Sequence, residues 1–303
     1  MSLICIENPF LTTEKRSENS IVKKMEITVQ PKELAAGKLT DAHLEQAVQA
    51  LRVDGYVVLE NVISHEHLDI LRERMDADSR VLINAEKWGG AGRLKGHLQQ
   101  GPPPFAPYIF SDIVANPYVV QVTHALLGPG LYNNFYNGNT NCPGSTTQPL
   151  HRDGAHLWPD EKVAHPTTEV VVNISPQETT EENGSVELWP GSHLEVSGYG
   201  IEAEEEEARR KICPPIRGNA KKGSALIRDM RLWHRGVPNP SDAPRHMIAM
   251  IHRVSWLKSN RRLKYKTGCE AAFENSDLDP NAAFIDFAEK KIKAYDYLFN
   301  PRF

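Results

Sequence analysis

The stretch from about Tyr132 to Leu257 constrains the fold most. There, short apolar runs alternate with turn signals: LYNNFYNGN, TTQPLHRDG, TEVVVNIS, GSVELWPGS, GSALIRD and HMIAMIHRVSW. Such runs, bounded by Gly, Pro, Asn and Asp, read as strands of a sandwich or barrel. The flanks have a different period. In TDAHLEQAVQALRV (40–53), Leu44, Ala47, Val48 and Leu51 fall at helical spacing, and Asp54-Gly55 stops the helix. Tyr56 to Leu59 is β-prone, and Ser64 then caps a second helix with Leu68, Leu71 and Met75 on its inner face. Asn116 to Leu127 reads as a helix ending at Gly128-Pro129. Glu202 to Glu207, with basic residues after it, reads as a solvated helix, and Ala282 to Tyr297 as a closing one. Asn84 to Pro107, rich in Gly, Pro and Lys, reads as a long loop suited to act as a lid. The expectation is a single, mainly β domain over 1–303 with flanking helices. Its parts are an N-terminal arm (1–39), a helical lead-in with the lid loop (40–131), a β core (132–257) and a C-terminal extension (258–303).

Composition removes several function classes. A chain of 303 residues, 40% hydrophobic and 24% charged, buries a core without staples. A net charge of −4 argues against nucleic-acid binding through bulk charge. Cys5, Cys142, Cys213 and Cys269 lie far apart with no CxxC pair, which reads as reduced thiols rather than a disulfide framework or zinc knuckle. No apolar stretch approaches a membrane span, and the first residues lack a secretory pattern. A cytoplasmic protein acting on a small molecule, with neither nucleic acid nor membrane as partner, is expected. Homodimerisation through the N-terminal arm or the C-terminal helix is compatible with the sequence.

The sharpest chemical feature is His151-Arg152-Asp153. On a strand, residues i and i+2 share a face, so His151 and Asp153 can meet one ion while Arg152 turns away. His234, in RLWHRG, is the best third ligand. Two histidines and one carboxylate on one side of an ion leave three positions open, the arrangement of non-haem iron(II) oxygenases. HxD alone is weak, because a histidine beside an aspartate is usually a structural hydrogen bond. Arg245 strengthens the reading. HRGVPNPSDAPR runs as strand, Pro-rich turn and returning strand, which carries Arg245 back beside the ion, where its fork can pair with a carboxylate. The charges then close: iron(II), one Asp, a dianionic 2-oxo acid and Arg245 sum to zero.

Four segments make the chain resemble the phytanoyl-CoA dioxygenase family of Fe(II)/2-oxoglutarate-dependent oxygenases. They are DGYVVLENVISHEHLDILRERM, QPLHRDG, EENGSVELWPGSH and GSALIRDMRLWHRGVPNPSDAPR, in that order. The resemblance implies a double-stranded β-helix, a jelly-roll or cupin-like core with the metal at its open end. It assigns His151, Asp153 and His234 to iron, Arg245 to the distal carboxylate of 2-oxoglutarate, and Gln148 to a polar contact beside that cosubstrate. It implies oxidation of a substrate C–H bond by O2, by hydroxylation, desaturation or a related step, with release of succinate and carbon dioxide. Related halogenases replace the carboxylate by a small residue. Asp153 therefore favours oxygen chemistry, and a tailoring step in natural-product biosynthesis is the expected use. Met247 stands where many relatives have a small or hydroxyl residue, and Arg235 where small residues are common.

Other residues carry weaker expectations. His193 reads as an exposed structural histidine and Arg235 as turned away. Asn173, Asn133 and Tyr136 are candidates to face the pocket, Lys95 and His97 to sit in the lid, and Trp158 to wall the site or simply pack. A zinc hydrolase would also use two His and an Asp but has no need of Arg245. A non-catalytic metal-binding cupin module would bind metal without consuming oxygen. A kinase reading of HRD fails for want of the other kinase segments.

Overall fold

A computed structural model describes residues 25–85, 94–196 and 200–299. The chain begins with β1 (Glu26–Thr28), α1 (Pro31–Ala36), α2 (Asp41–Val53), β2 (Tyr56–Glu60), α3 (His65–Asn84) and β3 (His97–Gln99). Next come α4 (Ser111–Val114), α5 (Pro117–Leu127), β4 (Tyr132–Asn141), β5 (Glu169–Ile174), β6 (Glu187–Leu188), α6 (Ala203–Ile212) and β7 (Ile216–Arg217). The last elements are β8 (Ala225–Asp229), β9 (His234–Arg235), β10 (Arg245–Arg253), β11 (Leu263–Lys266), β12 (Ala282–Ile285), α7 (Glu289–Lys293) and α8 (Asp296–Phe299). Seven strands form one sheet in the order β1-β2-β8-β5-β10-β4-β3, and β7-β6-β9 form a second. This is the double-stranded β-helix of the expectation.

The large sheet has two chemically different faces, set by the period of two along each strand. Val170, Val172 and Ile174 of β5, Ala225 and Ile227 of β8, and Ile248 and Met250 of β10 share one face. Leu51 of α2, Leu68, Leu71 and Met75 of α3, and Val119 and Val122 of α5 cover it in one buried cluster. Antiparallel partners share a face, so the alternate set points to the small sheet: Asn137, Asn139 and Asn141 of β4, Met247 and Ala249 of β10, Asn173 of β5, and Leu226 and Arg228 of β8. The helices over the apolar face start on side-chain caps. The Thr40 hydroxyl accepts from the His43 N–H at 3.4 Å, and Asn116 accepts from the N–H groups of Tyr118 and Val119 at 3.1 and 3.0 Å.

Several expectations need correction. Residues 26–39, placed in the arm, are part of the body: β1 pairs in parallel with β2, and Ile27, Val29 and Leu39 are buried. The loop expected from Asn84 to Pro107 contains an edge strand, β3, paired with β4, which puts His97 opposite Asn141; residues 86–93 of that loop lie outside the described residues. The closing helix is split. Ala282–Ile285 is a strand, β12, paired in parallel with β11, and only Glu289–Lys293 and Asp296–Phe299 are helical. The run AAFI serves both periods, and Tyr265 and Phe273 supply the apolar cluster that selects the strand.

Gly55 ties this frame to the loop ahead of His234. Its φ of +80° lies in the left-handed region, and an added Cβ would stand 2.5 Å from His193 Nδ1 and 2.8 Å from Leu232 Cδ1. Gly55→Ala is expected to destabilise the fold by about 2 kcal/mol, read by urea unfolding.

Candidate metal centre and cosubstrate cleft

His151 and His234 are brought together by the main chain. The His151 N–H donates to the His234 carbonyl at 3.1 Å, and the His234 N–H donates back at 2.9 Å. The Asp153 N–H donates to Met230 O at 3.1 Å. HRD is therefore not a stretch of regular strand, as the i, i+2 argument assumed; one residue pair and one further bond hold it. The alternation survives all the same. Arg152 turns away and is buried, its guanidinium 5.7 Å from the Trp233 ring centre.

The three side chains converge. Asp153 Oδ1 lies 3.8 Å from His151 Nε2, Asp153 Oδ2 lies 3.4 Å from His234 Nε2, and one ligand atom from each residue falls within 4.8 Å of the others. Each imidazole is oriented by a carbonyl two residues earlier. His151 Nδ1 is 2.8 Å from Pro149 O, and His234 Nδ1 is 2.9 Å from Leu232 O. A carbonyl only accepts, so Nδ1 carries the hydrogen and Nε2 keeps its lone pair, aimed at the other two groups. Burial and then the Arg228 charge push His234 down to about 3, so it is neutral at physiological pH. Burial alone would raise Asp153, but His234 and Arg228 hold its carboxyl well below the usual carboxylate range. The Asp153 side chain stays 34% exposed, so the cluster has an open side.

The loop that delivers His234 is pinned by an internal ion pair. Arg231 Nε donates to Asp229 Oδ1 at 2.9 Å and Arg231 Nη2 to Asp229 Oδ2 at 2.8 Å, and the Thr167 hydroxyl donates to Oδ2 at 2.8 Å. Both charges are buried.

Arg245, the first residue of β10, is 4% exposed. Its Nη2 donates to Gly184 O at 2.9 Å, its Nε has no partner, and no carboxylate among the described residues pairs with it. Burial and then Arg217 lower its pKa to about 10, the mark of an uncompensated cation. It lines a narrow cleft with Asn173, Ser175, Ser224, Leu226 and Met247. Gln148 lies next to the His151–His234 pair: its N–H donates to Gly236 O at 2.9 Å and its Oε1 accepts from the Gly236 N–H at 2.7 Å.

Of the other candidates, Asn173 faces the cleft. Asn133 and Tyr136 do not face it. They pair with His252 and Met250 on the helix-covered face, a consequence of the register along β4. His193 is buried rather than exposed, sits apart from the metal cluster and approaches Arg52 O at 3.2 Å. Arg235 turns to Glu187 (2.8 Å) and Glu206 (3.3 Å). His97 lies in β3, its Nε2 2.7 Å from Thr146 O, and Lys95 is exposed. Trp158 is 56% exposed and meets His165 edge-on. One site residue belongs to no sequence motif: Arg228, whose Nη2 donates to Asp153 Oδ2 at 2.5 Å. Its signal was an arginine at an inward position of the apolar strand ALIRD.

The donor set suits a divalent ion with open positions, and the buried, unpaired Arg245 suits a carboxylate. Such a site on this fold defines the non-haem iron(II) oxygenases that use a 2-oxo acid. Residues 51–247 match the phytanoyl-CoA dioxygenase (PhyH) family. The chain belongs to that family and is a non-haem Fe(II)/2-oxoglutarate-dependent dioxygenase, which sets aside the hydrolase and binding-module readings. It is 23% identical over 221 residues to dioxygenase andF of Emericella variicolor, covering 70% of this chain and 75% of that one. It is 24% identical over 253 residues to dioxygenase cdmA of Talaromyces verruculosus, covering 79% and 78%. The crystal structure of EctD from S. alaskensis with 2-oxoglutarate and 5-hydroxyectoine shares the fold, with a TM-score of 0.52 at 17% identity over 71% of this chain and 76% of that one. No helix among the described residues is long and apolar enough to cross a membrane.

Arg231→Met would leave the carboxylate of Asp229 buried without its counter-ion. A stability loss of about 3 kcal/mol in urea unfolding is expected.

Proposed function

We propose that this enzyme oxidises a C–H bond of a small organic molecule in natural-product biosynthesis, with His151, Asp153 and His234 holding Fe(II). The observation that carries the reading is the pair of imidazoles whose Nδ1 atoms are bonded to carbonyls, so that both Nε2 atoms face Asp153. Bound together, Fe(II) and 2-oxoglutarate activate O2 for C–H oxidation, with succinate and carbon dioxide as coproducts.

The chain's own residues bind, orient and neutralise. Arg245 receives the distal carboxylate of 2-oxoglutarate. Its guanidinium is already desolvated and short of an acceptor, so a carboxylate there gains two-point, charge-assisted bonds. Gln148, fixed by the Gly236 N–H, supplies the polar contact beside the cosubstrate. Asn137, Asn139 and Asn173 present amides on the inward face, which suits a small oxygen-bearing substrate. We place the enzyme in the cytoplasm, in keeping with Cys142, Cys213 and Cys269 being buried thiols that form no disulfide among the described residues.

The test is an anaerobic titration of the apo-protein with Fe(II) and 2-oxoglutarate, followed by visible absorption. A weak charge-transfer band is expected in the parent and absent in His151→Ala and Asp153→Ala. Arg245→Ala should keep the band and need about tenfold more 2-oxoglutarate to reach it. A full band in either ligand variant, or parental affinity in Arg245→Ala, would overturn that residue's role.

A further inference from the structure

Arg228 has no part in the metal cluster by residue type, yet it is the closest charged partner of the cluster's carboxylate. Its side chain is 5% exposed. Nη2 donates to Asp153 Oδ2 at 2.5 Å and Nε donates to Asn173 Oδ1 at 3.2 Å. The backbone fixes this reach from two sides, since Arg228 pairs with Tyr56 on β2 and with Val171 on β5. An arginine on the inward face of an apolar strand is desolvated, and Asp153 is the anion that compensates it.

This partnership bears on how Asp153 can act as a ligand. A free carboxylate can offer a metal one oxygen or two. Asp153 Oδ2 gives one of its lone pairs to Arg228, which biases metal binding toward Oδ1, on the His151 side, the oxygen with no donor from Arg228. Two nitrogens and one oxygen leave three of six positions open. A two-oxygen carboxylate would close one of those three. A 2-oxo acid that chelates through its keto and carboxylate oxygens takes two, and O2 needs the last. Charge points the same way. Arg228 adds a positive charge beside the metal, which favours a dianion over a monoanion as the chelating acid.

We infer that Arg228, steadied by Asn173, is a positioning residue that keeps Asp153 a one-oxygen ligand and so holds open the coordination position the 2-oxo acid and O2 together require. The inference rests on the metal-ligand assignment proposed above and adds to it.

The experiment uses Mn(II)-loaded protein without cosubstrate and counts metal-bound waters by proton relaxation. It then titrates with 2-oxoglutarate. Parent protein should show about three exchangeable waters. Arg228→Met should bind Mn(II) at least as tightly as the parent, because a cation beside the metal is gone. It should show about one water fewer, and its dissociation constant for 2-oxoglutarate should rise about tenfold. Asn173→Ala, which frees Arg228 without removing it, should move both readouts the same way by a smaller amount, and it serves in its place if Arg228→Met does not fold. Arg228→Lys keeps the charge but lacks the second donor to Asn173, so it should restore part of the 2-oxoglutarate affinity. Parental water count and parental 2-oxoglutarate affinity in Arg228→Met would overturn the inference. If the parent binds Mn(II) and shows no response to 2-oxoglutarate, the cosubstrate reading fails instead, and the water count still decides the role of Arg228.

Discussion

Two main-chain hydrogen bonds between His151 and His234 hold the working end of this molecule together. They join residues from distant parts of the sequence into one narrow antiparallel pair, and that pairing turns both rings to the same side. Everything at the site then follows from short local constraints. Each ring is set by a carbonyl two residues behind it, Asp153 by Met230 O, and the 229–233 loop by the Asp229–Arg231 ion pair. The backbone and rings are set locally, Arg228 fixes the Asp153 carboxylate, and the order of the cluster is built in before any ion arrives. Such preorganisation is what a metal site needs if its open positions are to stay open.

The large sheet separates two tasks that conflict chemically. One face is apolar and buried under α2, α3 and α5, and stability comes from there. The other carries asparagines, Arg228 and Arg245, groups that cost stability when desolvated without partners. A strand with a period of two can carry both sets at once. On the inward face, Arg245 Nε and the Asn173 amide nitrogen have no partner and are available to a bound ligand.

Much of this was legible in the sequence because the informative signals are local. Short apolar runs bounded by turn residues mark β5 and β10, the Ser64 cap marks α3, the run from Asn116 to Gly128-Pro129 marks α5, and HRD with the later WH marks the cluster. What was misread depends on tertiary partners. β3 is three residues long and exists because β4 offers it an edge. Ala282–Ile285 fits helix and strand alike until β11 is beside it. Asn133 and Tyr136 were put on the wrong side because face along β4 follows from register with β10, which no single strand reveals. Arg228 was passed over because its meaning lies in its distance to Asp153.

The lone buried guanidinium of Arg245 also has a consequence for the protein's stability. A native state that keeps a cation out of water without a counter-ion is weaker than the same state with its anion in place. Any acid that fills the cleft therefore shifts the folding equilibrium by mass action. Where that acid is the 2-oxoglutarate proposed for Arg245, its binding and the folding of the chain are one linked equilibrium.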